Sequence, residues 1–221
     1  MEDAPVLAVL PLGATEQHGA HLPTETDTLL AAATARAVAG RGPTVLPALA
    51  YGASGEHQSF PGTVSIGTEA LATAVVELGR SVSTWADRLV VINGHGGNVD
   101  ALRLAIPRLR REGRDAAWLS CRTAEDPSDT HAGHAETSLM LHLYPERVRP
   151  ELAVPGCTRP LPELLPALRE GGVAAVSPGG ILGDPTTATE AEGRRLWEAL
   201  LADADERLDR WSPGERDGML R

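Results

Sequence analysis

The chain has 221 residues, 42% of them hydrophobic, 23% charged and only 3% aromatic, with 23 Gly and 17 Pro. That length suits one domain spanning residues 1–221, and Arg, Asp, Gly or Pro interrupt the apolar runs too often for the ~20 residues of a membrane span. Twenty basic against thirty acidic residues give a net charge of -10, which argues against nucleic-acid binding. The sequence contains no Lys, so Schiff-base chemistry and a P-loop lysine are excluded. The opening MEDAPVLAVLPLG is acidic where an export signal is basic, and it lacks a small-residue cleavage site, so a cytoplasmic location is expected. Cys121 and Cys157 have no CxxC spacing and read as reduced small hydrophobes.

In chain order, Val6 to Pro11 reads as a strand, Thr28 to Ala39 as an Ala-rich helix and Thr44 to Leu49 as a second strand. Glu69 to Trp85 has apolar residues at helical spacing, Arg88 to Ile92 is a buried strand, Val99 to Arg111 a helix containing Pro107, and Ala116 to Ser120 a further strand. This alternation predicts an α/β fold of three layers, a largely parallel central sheet with helices on both faces. After Ser120 the rhythm changes: a polar loop over Thr123 to Thr130, a helix from Ala135 to Leu143, and a proline-rich stretch from Pro150 to Pro166. A last helix runs from about Thr189 to Trp211, capped by Thr186 or Thr189 and ended before Pro213.

Ligands of open parallel sheets bind beyond the carboxyl ends of the strands. The four loops there hold six of the seven histidines: His18 and His21, His57, His95, then His131 and His134. If Glu16 to His18 is extended, Glu16 and His18 point the same way and Gln17 points opposite. Asp27, just before the Ala-rich helix, is either a dipole-stabilising acid or a ligand whose two oxygens bridge two ions. His95 stands in Asn93-Gly94-His95-Gly96-Gly97-Asn98 between a strand and a helix. A Gly-rich turn of this kind can cradle a dinucleotide, but the spacing is Gly-x-Gly-Gly and the nearest acid, Asp115, lies at the start of the next strand. Metal ligation suits His95 better. Glu136, in the first turn of its helix, supplies a fifth ligand beside Glu16, His18, Asp27 and His95. With no Cys in the set, the ligands are nitrogen and oxygen, suited to zinc, manganese or ferrous iron. No Gly-x-Ser-x-Gly elbow is present, since Gly52-Ala53-Ser54-Gly55 has the wrong spacing, so a serine hydrolase is disfavoured.

Four ordered motifs carry a family resemblance. Gly13-Ala14-Thr15-Glu16-Gln17-His18 with Thr26-Asp27-Thr28, Glu56 to Ser65, Asn93 to Asn98, and His131 to Ser138 together resemble the creatininase family of metal-dependent amidohydrolases. The likeness runs from about Leu7 to Trp197. It implies two divalent ions per chain held by Glu16, His18, Asp27 and His95, with Asp27 bridging. Creatininases proper carry an aromatic residue and a ligating glutamate where this chain has Gly96 and Gly97, so the fifth ligand is assigned to Glu136 and creatinine is an unexpected substrate.

The resemblance further implies amide hydrolysis by water activated between the ions. His131 is expected as general acid and Glu56 as a second catalytic residue, with His57, Gly96 and Gly97 facing the substrate. For Glu56 and His57 a purely structural, hydrogen-bonded loop is an equal alternative. The Gly-Gly after His95 and the stretch Gly180 to Thr186 are similar to a peptidase branch that removes a modified C-terminal Val-Tyr dipeptide from a short precursor peptide. Deformylation of a small formamide, or hydrolysis of a small cyclic amide, is the alternative within the family. A noncatalytic nucleotide- or peptide-binding protein is the rival from another class. The resemblance also implies a homo-oligomer, with a hexamer as the expected form.

Overall fold

The structure is a computed structural model and describes residues 5–40, 42–121 and 126–221. Four strands, β1 (Leu7–Leu12), β2 (Thr44–Val45), β3 (Arg88–Asn93) and β4 (Asp115–Ser120), form an all-parallel sheet in the order β2-β1-β3-β4. The helices are α1 (Thr26–Ala39), α2 (Thr68–Val82), α3 (Val99–Arg111), α4 (His134–Leu143), α5 (Leu161–Gly171) and α6 (Glu190–Arg210).

Side chains alternate across the sheet as strand geometry demands. Leu10, Leu12, Val91 and Trp118 pack with Leu71, Val75, Leu102 and Ile106 of α2 and α3 on one face. Val9, Val90, Ile92 and Leu119 pack with Ala31 and Ala35 of α1 and Leu200 and Ala204 of α6 on the other. The strands are apolar on both faces because both are covered, which is the expected three-layer arrangement. β1 connects through α1 to β2 on one side of itself, while β3 lies on its other side and leads to α3 on the opposite face of the sheet. The carboxyl ends of β1 and β3 therefore form a topological switch point, where a crevice opens.

Three expectations are corrected. The strand expected over Thr44 to Leu49 forms a ladder only at Thr44–Val45: Leu46 N–H still donates to the Val9 carbonyl, but the chain then slips by one residue, so that Leu49 N–H and not that of Ala48 reaches the Pro11 carbonyl, as an isolated bridge. The Ala-rich helix begins two residues early, at Thr26, which places Asp27 in its first turn. The proline-rich stretch contains α5, whose Pro162 occupies a first-turn position where an N–H would have no helical partner. Part of the expected polar loop, residues 123–125, lies outside the described residues.

Thr189 caps α6 by accepting from Glu192 N–H. At the other end of the chain Trp118 N–H donates to the Gly218 carbonyl and Leu220 N–H to the Trp118 carbonyl, so residues 218–220 run beside β4. No helix among the described residues is long and apolar enough to cross a membrane.

Candidate metal centre

The first loop leaves β1 and brings Glu16 and His18 into the crevice, both completely buried. His18 places Nδ1 3.1 Å from the Glu16 carbonyl and turns Nε2 toward Asp27 Oδ1 at 3.2 Å, where it donates to the carboxylate. Asp27 Oδ2 in turn lies 3.4 Å from His95 Nδ1. One carboxylate thus stands between two imidazoles. Its position depends on Gly94: a Cβ there would collide with the Asp27 carbonyl, so only glycine lets the loop after β3 meet the first turn of α1.

That loop is tied down by two asparagines. Asn98 accepts from Ala53 N–H and donates to the Gly13 carbonyl and to Asn93 Oδ1, while Asn93 donates to the His95 carbonyl. His95 Nε2 is held 3.1 Å from Glu16 Oε2 and 3.3 Å from Glu56 Oε1. Glu56 and His57 stand on a single 3-10 turn over 55–57, with His57 Nε2 3.5 Å from Glu16 Oε1. A side chain at Gly97 would collide with His95 Nε2 and Glu56 Oε1, so the Glu56 carboxylate fills the space that position 97 leaves empty. At Gly96 a Cβ would meet open space.

The fourth loop arrives beside β4. Asp129 accepts from His134 and Ala135 N–H, capping α4, and Ala132 takes a left-handed conformation (φ 52°) that lets its N–H donate to Glu136 Oε2 at 2.6 Å. The same oxygen lies 3.9 Å from His18 Nε2. His131 places Nδ1 3.6 Å from Glu16 Oε1 and donates from Nε2 to the Gln17 carbonyl at 2.8 Å.

Both oxygens of Glu16 and Oδ2 of Asp27 are buried without a hydrogen-bond partner. Buried carboxylate oxygens are ordinarily satisfied, and leaving them bare costs free energy. Among the described residues, nitrogen and oxygen atoms of Glu16, His18 and Asp27, of His18, His131 and Glu136, and of Glu16, His57 and His131 lie close enough together to hold a metal ion. The nitrogen and oxygen donors fit such an ion, and it would satisfy the bare oxygens.

Charge within the cluster follows from burial and proximity. Burial works to raise the Glu16 carboxyl, but His95, His57 and His131 together hold it well below its ordinary value. Burial and the neighbouring Glu16 push Asp27 up. For His18 burial is outweighed by Asp27, Glu136 and Glu16, which raise its pKa to about 10. Burial raises Glu136 to about 7. His131 is driven well below its ordinary value by burial and by His18 and His57.

All ten residues singled out in the sequence lie in or around this crevice. Gln17 has a place that the sequence does not assign: its amide lies 2.9 Å from His57 Nδ1 and 3.1 Å from His131 Nε2, the ring nitrogens turned away from Glu16. Like Gln17, Asn93 and Asn98 are motif residues to which the sequence alone assigns no chemistry. His21 and His134 sit in motif loops but bond to Thr137 and Thr187. Burial lowers the His21 pKa to about 4, so it is a neutral packing residue.

A crowded nitrogen–oxygen donor cluster at the switch point of a parallel α/β sheet defines a candidate metal-assisted hydrolase. The creatininase family, described as creatinine amidohydrolase, matches residues 1–208. A mycofactocin precursor peptide peptidase of Mycobacterium ulcerans (strain Agy99) is 57% identical over 96% of this chain and 88% of its own length. The creatinine amidohydrolase of Pseudomonas putida is 32% identical over 87% of this chain and 85% of its own. Among solved structures, a manganese creatininase superposes with a TM-score of 0.78 at 30% identity, covering 96% of this chain and 93% of that one. A mutant creatininase of Zn-Zn type gives 0.78 at 31% identity, covering 95% and 92%. The chain belongs to the creatininase family and is a hydrolase of C–N bonds.

Proposed function

We propose that the chain is a metal-dependent peptidase that releases a modified C-terminal Val-Tyr dipeptide from a mycofactocin precursor peptide. The substrate assignment is supported by 57% identity to a relative named for that precursor. The observation that carries the chemistry is the set of bare, buried carboxylate oxygens on Glu16 and Asp27. Glu16, His18, Asp27, His95 and Glu136 would hold two divalent ions, of zinc, ferrous iron or manganese, with Asp27 shared between them. Bound ions of this kind supply a water of lowered pKa and a Lewis acid for the scissile carbonyl.

The remaining groups act on substrate and protons. His131, neutral at pH 7 because burial holds its pKa down, takes a proton at Nδ1 from the attacking water and passes it to the departing amine. Glu56, partly open to solvent, accepts a hydrogen bond from that water or from the peptide. Gly96 leaves room for a peptide chain where a side chain would intrude, while Gly97 leaves room for Glu56. In this reading the protein works in the cytoplasm as a homo-oligomer, for which exposed Tyr51, Leu104 and Val154 offer apolar contact area.

Chelator treatment is expected to abolish hydrolysis of a peptide ending in modified Val-Tyr, and re-added zinc, iron or manganese to restore it. Creatinine and a small formamide, assayed beside it, are expected to be poor substrates. Full peptide cleavage by metal-free protein would overturn the metal reading, and exclusive turnover of creatinine or the formamide would overturn the peptidase reading.

A further inference from the structure

We propose that Gln17 is a positioning residue that gives His57 and His131 different outward faces, so that His57 presents an N–H to the centre and His131 presents a lone pair. Its kinetic consequence rests on the hydrolase reading above; its structural content does not.

The Gln17 side chain is buried, and its neighbours fix which way the amide points. Gly19 N–H lies 2.9 Å from one end, which must be the oxygen, and the Gly180 carbonyl lies 2.9 Å from the other, which must be the NH2. Turning the amide over would set donor against donor and acceptor against acceptor. Gly180 is packed directly onto this amide: it has φ 81°, and a Cβ there would collide with Gln17 Oε1.

The NH2 has two hydrogens and three neighbours. One hydrogen goes to the Gly180 carbonyl. His131 Nε2 cannot accept the other, because it is 2.8 Å from the Gln17 main-chain carbonyl and must itself carry a hydrogen to donate there. The second hydrogen therefore goes to His57 Nδ1 at 2.9 Å, which must be bare. A neutral imidazole carries only one N–H, so that of His57 is at Nε2, 3.5 Å from Glu16 Oε1. His131 has its N–H at Nε2 and turns a bare Nδ1 toward the same oxygen at 3.6 Å. A single side chain and its own carbonyl thus separate two adjacent histidines, with ring centroids 4.3 Å apart, into a donor and an acceptor. Toward the centre, His57 can then hold a substrate or water oxygen, and His131 can take up a proton.

Long-range proton–nitrogen correlation spectra of 15N-histidine-labelled protein, recorded metal-free and after zinc addition, read the tautomers directly. Wild type is expected to show His57 protonated at Nε2 and bare at Nδ1. In Gln17→Met, which keeps length but has no amide, and in Gln17→Glu, which is isosteric, His57 is expected to acquire an Nδ1 hydrogen. His131, anchored by a main-chain carbonyl, keeps its Nε2 hydrogen in both. Thermal unfolding confirms that each variant is folded, and zinc content is expected to equal that of wild type. With peptide substrate, kcat falls about 10- to 100-fold with KM unchanged, the usual scale for losing a group that orients a site residue. An Nδ1 hydrogen on His57 in wild type, or an unchanged His57 tautomer in both folded variants, overturns the proposal. Failure to cleave the peptide with the tautomers as expected counts against the substrate reading and leaves the positioning role standing.

Discussion

The two halves of the centre are built differently. Glu16 and Asp27, in the loop after β1 and in the first turn of α1, have side chains 0% and 2% exposed, whereas Glu56 and Glu136, on a 3-10 turn and in the first turn of α4, are 34% and 25% exposed. The closed half is fixed by the sheet and by the Asn93–Asn98 pair, and its carboxylates have no water to turn to. The open half faces the space above Gly96. Rigid, dry donors suit the holding of an ion; of the two more open carboxylates, Glu136 would complete that set from the solvent side and Glu56 suits contact with water and substrate.

Substitutions on either side test that division. The largest effect is expected for Asp27→Ala, which removes the carboxylate between His18 and His95: metal content measured by mass spectrometry should fall sharply, and turnover with it. Retention of normal metal would sink the division. Next comes His131→Ala, which should keep its metal, with kcat lowered ~10²- to 10⁴-fold, the range for a general acid–base group. Metal loss in that variant would move His131 into the holding half.

The smallest effect is on affinity as pH changes. A proton held by His18 up to a pKa of about 10 must leave before its nitrogen can ligate, and Glu136, at about 7, must also be ionised. His95, held well above its ordinary value chiefly by Glu16, must lose a proton as well, so the zinc affinity of the metal-free protein should rise with pH by about tenfold per unit or more, and more steeply below 7. Calorimetry in buffers of different ionisation enthalpy would read the released protons, and a pH-independent affinity would contradict the charge assignment.

Much of this was legible in the sequence, for reasons that differ by region. β3 and α3 keep their expected bounds within a residue because a short continuous apolar run between turn residues marks a strand buried on both faces, and apolar residues at helical spacing mark an amphipathic helix. β2 is shorter than its apolar pattern suggests because the chain slips by one residue between Leu46 and Leu49, which residue types do not show, and α5 escapes the sequence because prolines at the first turn of a helix look the same as prolines in a loop. In the site, charged and imidazole side chains betrayed themselves by type. Gln17, Asn93 and Asn98 did not, since an amide is as ordinary on a surface as it is indispensable behind a histidine; only the distances to His57, His131 and the Gly13 carbonyl separate the two cases.

The segment beside β4 has a bearing on how copies of this protein can meet. Residues 218–220 occupy the hydrogen-bonding groups at the middle of β4, and the opposite margin of the sheet is β2, two residues long. Neither margin presents a long bare row of N–H and C=O groups, so strand-by-strand growth into a fibre is blocked at both sides. Any contact between copies is then left to helical and loop surfaces, and crowding of many copies does not set one sheet against the next.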